Sequence, residues 1–350
     1  MALSDKRVLV TGVCGTVGKE LVRQLLEERK VKELFALDNN ESELFFLEHG
    51  FSRFKQASFY LADVRDRDKL NHKMNGIDVV FHTAAFKHVL LCERSPFEAV
   101  QTNIIGVQNV ITAARDNEVE RIVFTSSDKA VNPTSVMGTS KLMGERLMTA
   151  ANSDFVRGGP IFVSTRFGNV LGSSGSVVPV FRGQIRRGGP VTLTDPAMTR
   201  FIMTLADAVR LVIESGEIAQ GGEVFIAKMP TIRIEDLAEV MIQELAPTFG
   251  HRPADIQIEI TGPQPGEKMY EELLSFEETR RTWELKNYFV ILPAFTTLYE
   301  DIDYYYPDII SRNVATPYQS QQEKPLSKKQ LANFLHDNNL FQRDRGIDQY

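Results

Sequence analysis

Two small hydroxyl side chains, a carboxylate and an ammonium group follow one another directly after a short apolar run. The run Arg121–Thr125 has the pattern of a buried strand, and Ser126, Ser127, Asp128 and Lys129 come next. Open α/β sheets build their sites at the carboxyl ends of their strands, so this cluster stands where chemistry is expected. An adjacent carboxyl and amine can act as general acid and general base. The alternative interpretation is a solvated loop with a capping Asp and a surface Lys.

A helix is predicted shortly after this cluster, and it carries Met137 and Lys141. Residues four apart on a helix share one face, so both side chains can point into the cleft that holds Asp128. Lys141 would add a second ammonium group to the cleft, whereas the thioether of Met137 cannot take a proton.

A glycine-rich turn near the N-terminus predicts a phosphate-binding loop. A short apolar strand, Arg7–Thr11, runs into Gly12, Gly15 and Gly18, and the amphipathic helix Lys19–Glu28 follows. Glycines at this spacing allow a tight turn, close approach of a pyrophosphate, and close packing of helix on strand. The alternative is a glycine-rich turn that binds no ligand.

A carboxylate after the second strand indicates which dinucleotide would bind. The strand Glu33–Leu37 ends at Asp38, 20 residues after Gly18, where an acidic side chain can bind ribose hydroxyls. No Arg stands beside it to pair with a 2′-phosphate, and Asn39 comes next. The pattern therefore favours NAD over NADP as the cofactor.

Two further strands end in residues suited to a dinucleotide. The first, Ser58–Ala62, leads to Asp63 and Val64, which are placed to hold an adenine edge. The second, 78–82, leads to Ala84 and Ala85, small residues against which a dinucleotide can lie. Lys87 follows them, and it is equally consistent with an ordinary loop cation.

The repeated units of strand and helix predict the fold. Their short connections indicate a parallel, doubly wound sheet of the α/β class, an NAD-binding Rossmann fold. A helix predicted over 97–117 carries Asn103, whose amide we expect to brace the helix against a loop.

Composition limits the classes of function. The chain has 350 residues, 43% of them hydrophobic, which suits one large α/β domain or two domains sharing a cleft. A net charge of −6 with mixed signs gives no basic stripe, so nucleic acid is not expected as a partner. Cys14 and Cys92 have no metal-ligand spacing, and neither a metal site nor a disulfide framework is expected. With no signal-like N-terminus and no long apolar run, we expect a cytoplasmic protein without a membrane partner.

Taken together, these motifs resemble the extended short-chain dehydrogenase/reductase family from about Lys6 to Leu292. The resemblance rests on the glycine turn, the Asp-Val pair, His-Thr-Ala-Ala, the Ser-Ser-Asp-Lys-Ala-Val-Asn-Pro block and the lysine four residues after Met137. Within this family the chain is most similar to nucleotide-sugar 4,6-dehydratases of the polysaccharide-biosynthesis branch. Most of the superfamily carries Tyr where Met137 stands. Met is typical of large, membrane-anchored dehydratases that retain the C5 configuration, and the chain looks like the catalytic half of that type without its membrane segments.

The resemblance implies a role for each residue of the site. Asp128 would be the acid toward the C6 hydroxyl, Lys129 the base at C5, and Lys141 would hold the nicotinamide ribose. Ser126 or Ser127 could orient the O4 hydroxyl, and Met137 takes the position of the usual Tyr base. Asp128, a serine relay and water stay open as acceptors of the O4 proton. The cofactor-binding residues implied are Gly12, Gly15, Thr16, Val17, Gly18, Asp38, Asn39, Asp63, Val64, Ala84, Ala85, Lys87, Asn103, Thr125, Ser126 and Lys141.

The resemblance also implies a smaller C-terminal substrate-binding domain. Residues 1–168, with 205–230 returning to them, would bind the dinucleotide, while 169–204 and 231–350 would form the substrate-binding part and a C-terminal extension.

The second half contains the expected substrate side. A helix near Val177 could face phosphate with its N-terminus. Arg200 offers a planar fork to a diphosphate, although a surface ion pair is equally consistent. A helix is predicted over Met269–Leu274. The substrate-binding residues implied are Lys87, Asn169, Val177, Val178, Phe181, Thr194, Arg200 and Glu267.

The reaction implied converts UDP-N-acetylglucosamine to UDP-2-acetamido-2,6-dideoxy-4-keto-hexose. It combines C4 oxidation by NAD, loss of water across C5 and C6, and return of the hydride to C6. Two alternatives are a nucleotide-sugar epimerase of the same superfamily, against which the Asp128 and Lys129 pair argues, and a non-catalytic NAD-binding sensor, which Met137 favours. Members commonly pair through two helices, here 97–117 and the one near Met137, so we expect a homodimer or higher homo-oligomer.

Overall fold

The computed structural model describes residues 2–153, 159–173, 176–262, 267–295, 299 and 302–341. It divides into two compact units. The first contains the described parts of 1–167, 206–228 and 272–317. The second contains the described parts of 168–205, 229–271 and 318–350.

Strands and helices alternate along most of the chain. The strands are, in order, β1 Arg7–Thr11, β2 Glu33–Asp38, β3 Ala57–Leu61, β4 Val79–His82, β5 Arg121–Thr125, β6 Ile161–Arg166, β7 Asn169–Val170, β8 Val191–Leu193, β9 Thr199–Met203, β10 Val224–Ala227, β11 Thr231–Arg233, β12 Ile258–Ile260, β13 Glu272–Leu274, β14 Thr282–Leu285, β15 Tyr288–Ile291, β16 Ile309–Ser311 and β17 Tyr318–Gln319. The helices are α1 Thr16–Glu27, α2 Glu41–Gly50, α3 Arg67–Met74, α4 Val89–Arg94, α5 Pro96–Val100, α6 Gly106–Asp116, α7 Val136–Ala150, α8 Val177–Arg186, α9 Leu205–Ile218, α10 Ile234–Leu245 and α11 Lys328–Asp337. A π-helical turn, Gln101–Ile105, joins α5 to α6.

The first unit is built on one sheet, which has ten strands within the described residues. Their spatial order is β3-β2-β1-β4-β5-β6-β10-β15-β14-β16. The strands from β3 to β10 are parallel, and β15, β14 and β16 are antiparallel additions at one edge. The inner parallel strands β1, β4 and β5 are almost continuously apolar and buried, as expected for strands that helices cover on both faces. The predicted doubly wound α/β fold is confirmed.

Neighbouring residues of one strand show how both faces are covered. Ile122 of β5 belongs to a buried cluster that includes Val107 of α6. The next residue, Val123, faces the other way, where a Cβ at Gly216 of α9 would come within 2.7 Å of its side chain. The alternation of side chains along a strand therefore places α6 and α9 on opposite faces.

The second unit has a core of its own. β9 pairs with β7 and β11 in a three-stranded sheet, and β8 pairs with β12. Helices α8, α10 and α11 bury their apolar faces together through Val178, Phe181, Ile185, Leu237, Met241, Leu331 and Leu335.

The structure corrects three expectations. The helix predicted over Met269–Leu274 is wrong, because Glu272–Leu274 forms β13 and the adjacent leucines of that strand are both buried. The single helix expected over 97–117 is interrupted by the π-helical turn. Residues 272–317 belong to the first unit and not to the predicted substrate-binding part, because β14, β15 and β16 extend its sheet.

Candidate functional site

Two glycines hold the turn between β1 and α1 for steric reasons. Gly12 has a φ of 75°, and a Cβ there would lie 2.6 Å from the backbone of Ala84. A Cβ at Gly18 would lie 2.2 Å from the carbonyl oxygen of Gly12. The helix therefore packs on the strand at a distance that only glycine allows.

Gly15 differs from these two, because the fold itself does not require a glycine there. Its φ is −70°, and among the described residues a Cβ would approach only the Gly12 carbonyl oxygen, at 3.3 Å. Gly15 is the N-cap of α1, and Thr16 and Val17 open the first turn. The N–H groups of a first turn lack intrahelical partners and attract anions. The missing side chain leaves room for a phosphate at this helix end.

Asp38 is fixed beside the glycine turn at the end of β2. One carboxylate oxygen accepts a hydrogen bond from the backbone N–H of Cys14 at 2.8 Å, and the other accepts one from the N–H of Asn40 at 2.9 Å. The side chain is nearly buried. Its orientation is therefore set before any ligand binds.

Asp63 is held by an arginine that the sequence analysis did not single out. Arg65 donates to both carboxylate oxygens of Asp63 at distances between 2.7 and 3.0 Å, and Asn39 donates at 3.3 Å. The hydrogen bonds from Arg65 lower the pKa of Asp63 to about 2, against the opposing effect of burial. The carboxylate is therefore ionised at neutral pH.

These residues line one cleft of the first unit. The cleft brings together the glycine turn, the acid after β2, the pair after β3 and the small residues after β4. Its lining includes Thr11, Gly12, Gly15, Asp38, Asn39, Asp63, Val64, Ala84, Ala85 and Phe86.

Asn103 braces the loop after β4 against α7, as expected. Its Oδ1 accepts from the N–H of Phe86 at 2.8 Å, and its Nδ2 donates to the Phe86 carbonyl at 3.0 Å and to Ser140 Oγ at 2.9 Å. It lies in the π-helical turn, a feature that often marks functional sites. The same loop carries Lys87, whose pKa is lowered by partial burial.

Asp128 and Lys129 form an ion pair just after β5. Lys129 Nζ lies 3.0 Å from Oδ2 and 3.2 Å from Oδ1 of Asp128, and Ser127 Oγ donates to Oδ1 at 2.5 Å. The Asp128 side chain is 6% exposed and that of Lys129 38%. The neighbouring hydroxyl of Ser126 is buried and has no hydrogen-bond partner among the described residues. The predicted cluster is therefore a linked hydroxyl, carboxylate and amine.

Lys141 is buried next to this cluster. Its Nζ donates to the Thr125 carbonyl at 2.9 Å and lies 4.8 Å from the centre of the Phe124 ring. Burial lowers the pKa of Lys141 to about 8, although the Glu145 carboxylate opposes the shift. Burial, together with the charge of Lys141, lowers the pKa of His82 to about 3, so the imidazole is neutral.

Met137 has a packing role. Its side chain is 3% exposed and belongs to an apolar cluster with Cys92 and Ala99. A thioether cannot accept a proton, so the structure does not support its inclusion among the catalytic residues.

A buried charge network close to Lys141 was missed by the sequence analysis. Arg166 donates to Glu145 at 2.6 and 2.7 Å and to Glu278 at 2.9 and 3.0 Å. Burial alone would raise the pKa of Glu278, but the Arg166 guanidinium outweighs it and lowers the pKa to about 2. The available signal was an arginine at the end of a strand that carries no other charged residue.

In the second unit, the guanidinium of Arg200 already contacts carbonyl and carboxylate groups of the chain. Its guanidinium donates to the carbonyls of Thr199 at 2.8 Å and Lys268 at 2.9 Å. The carboxylates of Glu271 and Glu267 lie 3.5 and 3.6 Å away. Arg200 would bind a diphosphate only by giving up some of these contacts.

Glu271 was also missed, and it positions a predicted residue. Its Oε1 accepts from Asn169 Nδ2 at 2.6 Å, and its Oε2 accepts from the N–H of Phe201 at 3.0 Å. The Asn169 amide is therefore oriented by a buried carboxylate.

The remaining predicted substrate residues do not share one environment. Val178 and Phe181 are buried in the core of the second unit, and Val177 packs against that core. Burial of this kind gives Val178 and Phe181 a packing role and does not support a substrate contact. Thr194 is half-buried just after β8.

The sequence profile of the family described as polysaccharide biosynthesis protein matches residues 8–293. The chain belongs to this family. The family lies within the extended short-chain dehydrogenase/reductases, so the resemblance is confirmed. A relative from Methanocaldococcus jannaschii, named an uncharacterized membrane protein, is 48% identical over 333 residues, which cover 95% of this chain and 96% of the relative. No helix in the described part of this chain is long and apolar enough to cross a membrane.

Other family members differ in length and in name. CapD of Staphylococcus aureus and EpsC of Bacillus subtilis are 42% and 45% identical, and the chain spans 46% of each, about half their length. An inverting UDP-N-acetylglucosamine 4,6-dehydratase of Campylobacter jejuni is 37% identical over 86% of this chain and 87% of the relative. A UDP-glucose 4-epimerase of Rickettsia bellii is 38% identical over 82% and 83%. The solved structure of Pen from Bacillus thuringiensis has a TM-score of 0.89 at 41% identity, over 97% of this chain and 99% of that one.

Proposed function

We propose that the chain is an NAD-dependent nucleotide-sugar 4,6-dehydratase that acts on UDP-N-acetylglucosamine. The observation that carries the proposal is the contact of Asp128 with Lys129 beside the buried Lys141. Elimination of water across C5 and C6 needs both an acid and a base, which this pair supplies. An epimerase is the second candidate, because a relative of similar identity is named a UDP-glucose 4-epimerase. Epimerisation at C4 needs no such pair, and the pair therefore favours the dehydratase.

NAD is the proposed cofactor. The glycine turn at Gly15 suits a pyrophosphate, and Asp38 suits the ribose hydroxyls and would repel a 2′-phosphate. The Ser126 hydroxyl, which has no hydrogen-bond partner within the described part of the chain, is available to a ligand. Lys141 would hold the nicotinamide ribose. Bound NAD would accept hydride from sugar C4 and return it at C6. Tighter binding of NADP than of NAD in a side-by-side titration would contradict this proposal.

The glycine turn allows a prediction that separates binding from folding. Gly15→Ala should weaken NAD binding by about tenfold or more, because the new methyl group occupies phosphate space, and its cost in stability should be smaller than that of Gly18→Ala because its contact with the Gly12 carbonyl oxygen is 3.3 Å and not 2.2 Å. Gly18→Ala should instead lower the free energy of unfolding by about 2 to 3 kcal/mol through overpacking against backbone. Calorimetric titration with NAD and urea unfolding of both variants measure the two effects. If Gly15→Ala loses as much unfolding free energy as Gly18→Ala, then this glycine serves the fold and not the ligand.

Ser127 and Asp128 form a route for the proton of the sugar C4 hydroxyl. Ser127 Oγ already donates to the carboxylate, so it can pass its proton to Asp128 as it takes one from O4. The protonated Asp128 can then protonate the departing C6 hydroxyl, which leaves as water. One carboxylate thus acts first as acceptor and then as acid, and no Tyr is needed at the position of Met137.

Lys129 is placed to act at C5. The ammonium of the ion pair first releases a proton to solvent, and the neutral amine then removes the C5 proton, which the neighbouring 4-keto group makes acidic. The ammonium so formed returns a proton to C5 when C6 is reduced. Asp128 is then again a carboxylate, and Lys129 regains its ammonium form by taking a proton from solvent. Retention of configuration at C5 remains a prediction.

A panel of nucleotide sugars tests the proposed function. The protein is incubated with UDP-N-acetylglucosamine, UDP-glucose and their guanosine counterparts, and the products are analysed by mass spectrometry. A dehydratase removes one water from its substrate, whereas an epimerase leaves the mass unchanged. Unchanged mass with a new C4 epimer would select the second candidate.

A homodimer is the proposed assembly. Large apolar side chains are exposed along α4, α5, the π-helical turn and α7, namely Leu90, Leu91, Phe97, Val100, Ile105 and Met143. Such a patch marks an interaction surface, and a self-complementary pair of helices would close it about a twofold axis. Light scattering at micromolar protein should give at least twice the chain mass of 39.5 kDa, and Phe97→Glu should lower it to one chain. A monomeric parent protein would contradict the proposal.

A further inference from the structure

A cluster of buried charges lies next to Lys141. Arg166 contributes one positive charge, and its partners Glu145 and Glu278 contribute two negative ones. A second guanidinium, that of Arg281, lies 3.9 Å from Glu278, so Glu278 is shared between two arginines. The Arg166 guanidinium also donates to the Leu273 carbonyl at 3.1 Å, so all five of its N–H donors are used. Arg166 therefore has no donor left for a further group. Glu145 stands four residues after Lys141 on α7, so the two share a face of the helix.

We propose that Glu145 is a positioning residue for the active site, whose carboxylate keeps the Lys141 ammonium charged while Arg166 and Glu278 hold that carboxylate in place. Its catalytic meaning rests on the proposed function, in which Lys141 holds the nicotinamide ribose. The relation between the two charges does not depend on that function.

The other groups around Lys141 contribute little charge. His82, on β4, is neutral because burial and Lys141 lower its pKa to about 3. Cys92, on α4, stays a thiol because burial raises its pKa. The ion pair after β5 is neutral as a whole. Glu145 is thus the carboxylate that can balance a buried ammonium, and a fully buried lysine without such a partner can lose its proton below neutral pH.

The titration of Lys141 can be measured without cofactor or substrate. The free energy of unfolding in urea is determined from about pH 6 to pH 10 for the parent and for Lys141→Met, and the difference isolates this lysine. Burial lowers its pKa from 10.5 to about 8 in the folded chain, so above about pH 8 the unfolded chain binds more protons. The parent should therefore gain stability relative to Lys141→Met as the pH rises through about 8.

Two variants of the network distinguish charge from packing. Glu145→Gln, with and without Lys141→Met, should move the pH at which this gain begins down by about one to two units, the effect expected when a buried neighbouring charge is removed. Glu278→Gln removes the same charge from the other side of Arg166 and should leave the onset of the gain near that of the parent. The proposal is overturned if Glu145→Gln leaves the onset unchanged, or if Glu278→Gln moves it equally far.

A milder variant covers the case in which Glu145→Gln does not fold. Glu145→Asp keeps the carboxylate but withdraws it by one methylene group, so the onset of the gain should fall by less than in Glu145→Gln. An onset identical to that of the parent in Glu145→Asp would also overturn the proposal. Because these measurements need no nucleotide sugar, a failed dehydratase assay would leave their outcome interpretable.

Discussion

Lys129→Ala should stop exchange of the sugar C5 proton with solvent while leaving C4 oxidation in place. The variant lacks the amine that contacts Asp128 and is placed to act at C5, but it keeps Ser127, Asp128 and Lys141. Adding UDP-N-acetylglucosamine should therefore still produce enzyme-bound NADH absorbance. Nuclear magnetic resonance in deuterated water should show no deuterium at C5 and no product of elimination.

Lys129→Arg is the matched control for this variant. A guanidinium keeps the positive charge but cannot be deprotonated in a protein, so this variant should also fail to exchange C5. Exchange at the parental rate in either variant would show that another residue is the C5 base.

Asp128→Asn should lower both C4 oxidation and elimination. An amide can neither take the O4 proton from Ser127 nor give one to the C6 hydroxyl, and loss of such a group typically costs about 10²- to 10⁴-fold in rate. Stopped-flow absorbance of NADH and the rate of product formation measure the two steps separately. Asp66→Asn is a suitable control, because Asn caps α3 as well as the native Asp does.

The rate of NADH formation in Asp128→Asn distinguishes the two roles proposed for Asp128. If Asp128→Asn forms NADH as fast as the parent and loses only elimination, then Asp128 is an acid but not the acceptor of the O4 proton. The acceptor would in that case be water or a hydroxyl that does not use this carboxylate.

The fold was predictable because its signals are local. The strands β1 and β2 are short, mostly apolar runs. The connection from β1 into α1 needs glycine at positions 12 and 18 for steric reasons. The acid and amine after β5 are adjacent in sequence, so their contact follows from the chain itself.

The parts that sequence reasoning missed depend on distant contacts. Arg166 meets Glu145 and Glu278 across 21 and 112 residues of chain, and nothing in the local pattern of either glutamate indicates that it is buried. Arg200 looked available for a diphosphate because the Lys268 carbonyl and the Glu271 carboxylate, which engage its guanidinium, lie 68 and 71 residues further along the chain. The run Glu271–Leu274, whose last three residues form β13, has good helix propensity, but tertiary burial overrides such weak preferences.

The most direct test of the proposed function is one incubation in deuterated water. The parent protein, NAD and UDP-N-acetylglucosamine are combined, and the early product is analysed by mass spectrometry and by the proton spectrum of the sugar ring. We predict a product that has lost one water and carries a single deuterium, at C5, because Lys129 exchanges its proton with solvent before returning it. A product of unchanged composition without deuterium, differing from the substrate only in the configuration of C4, would contradict the dehydratase and identify an epimerase.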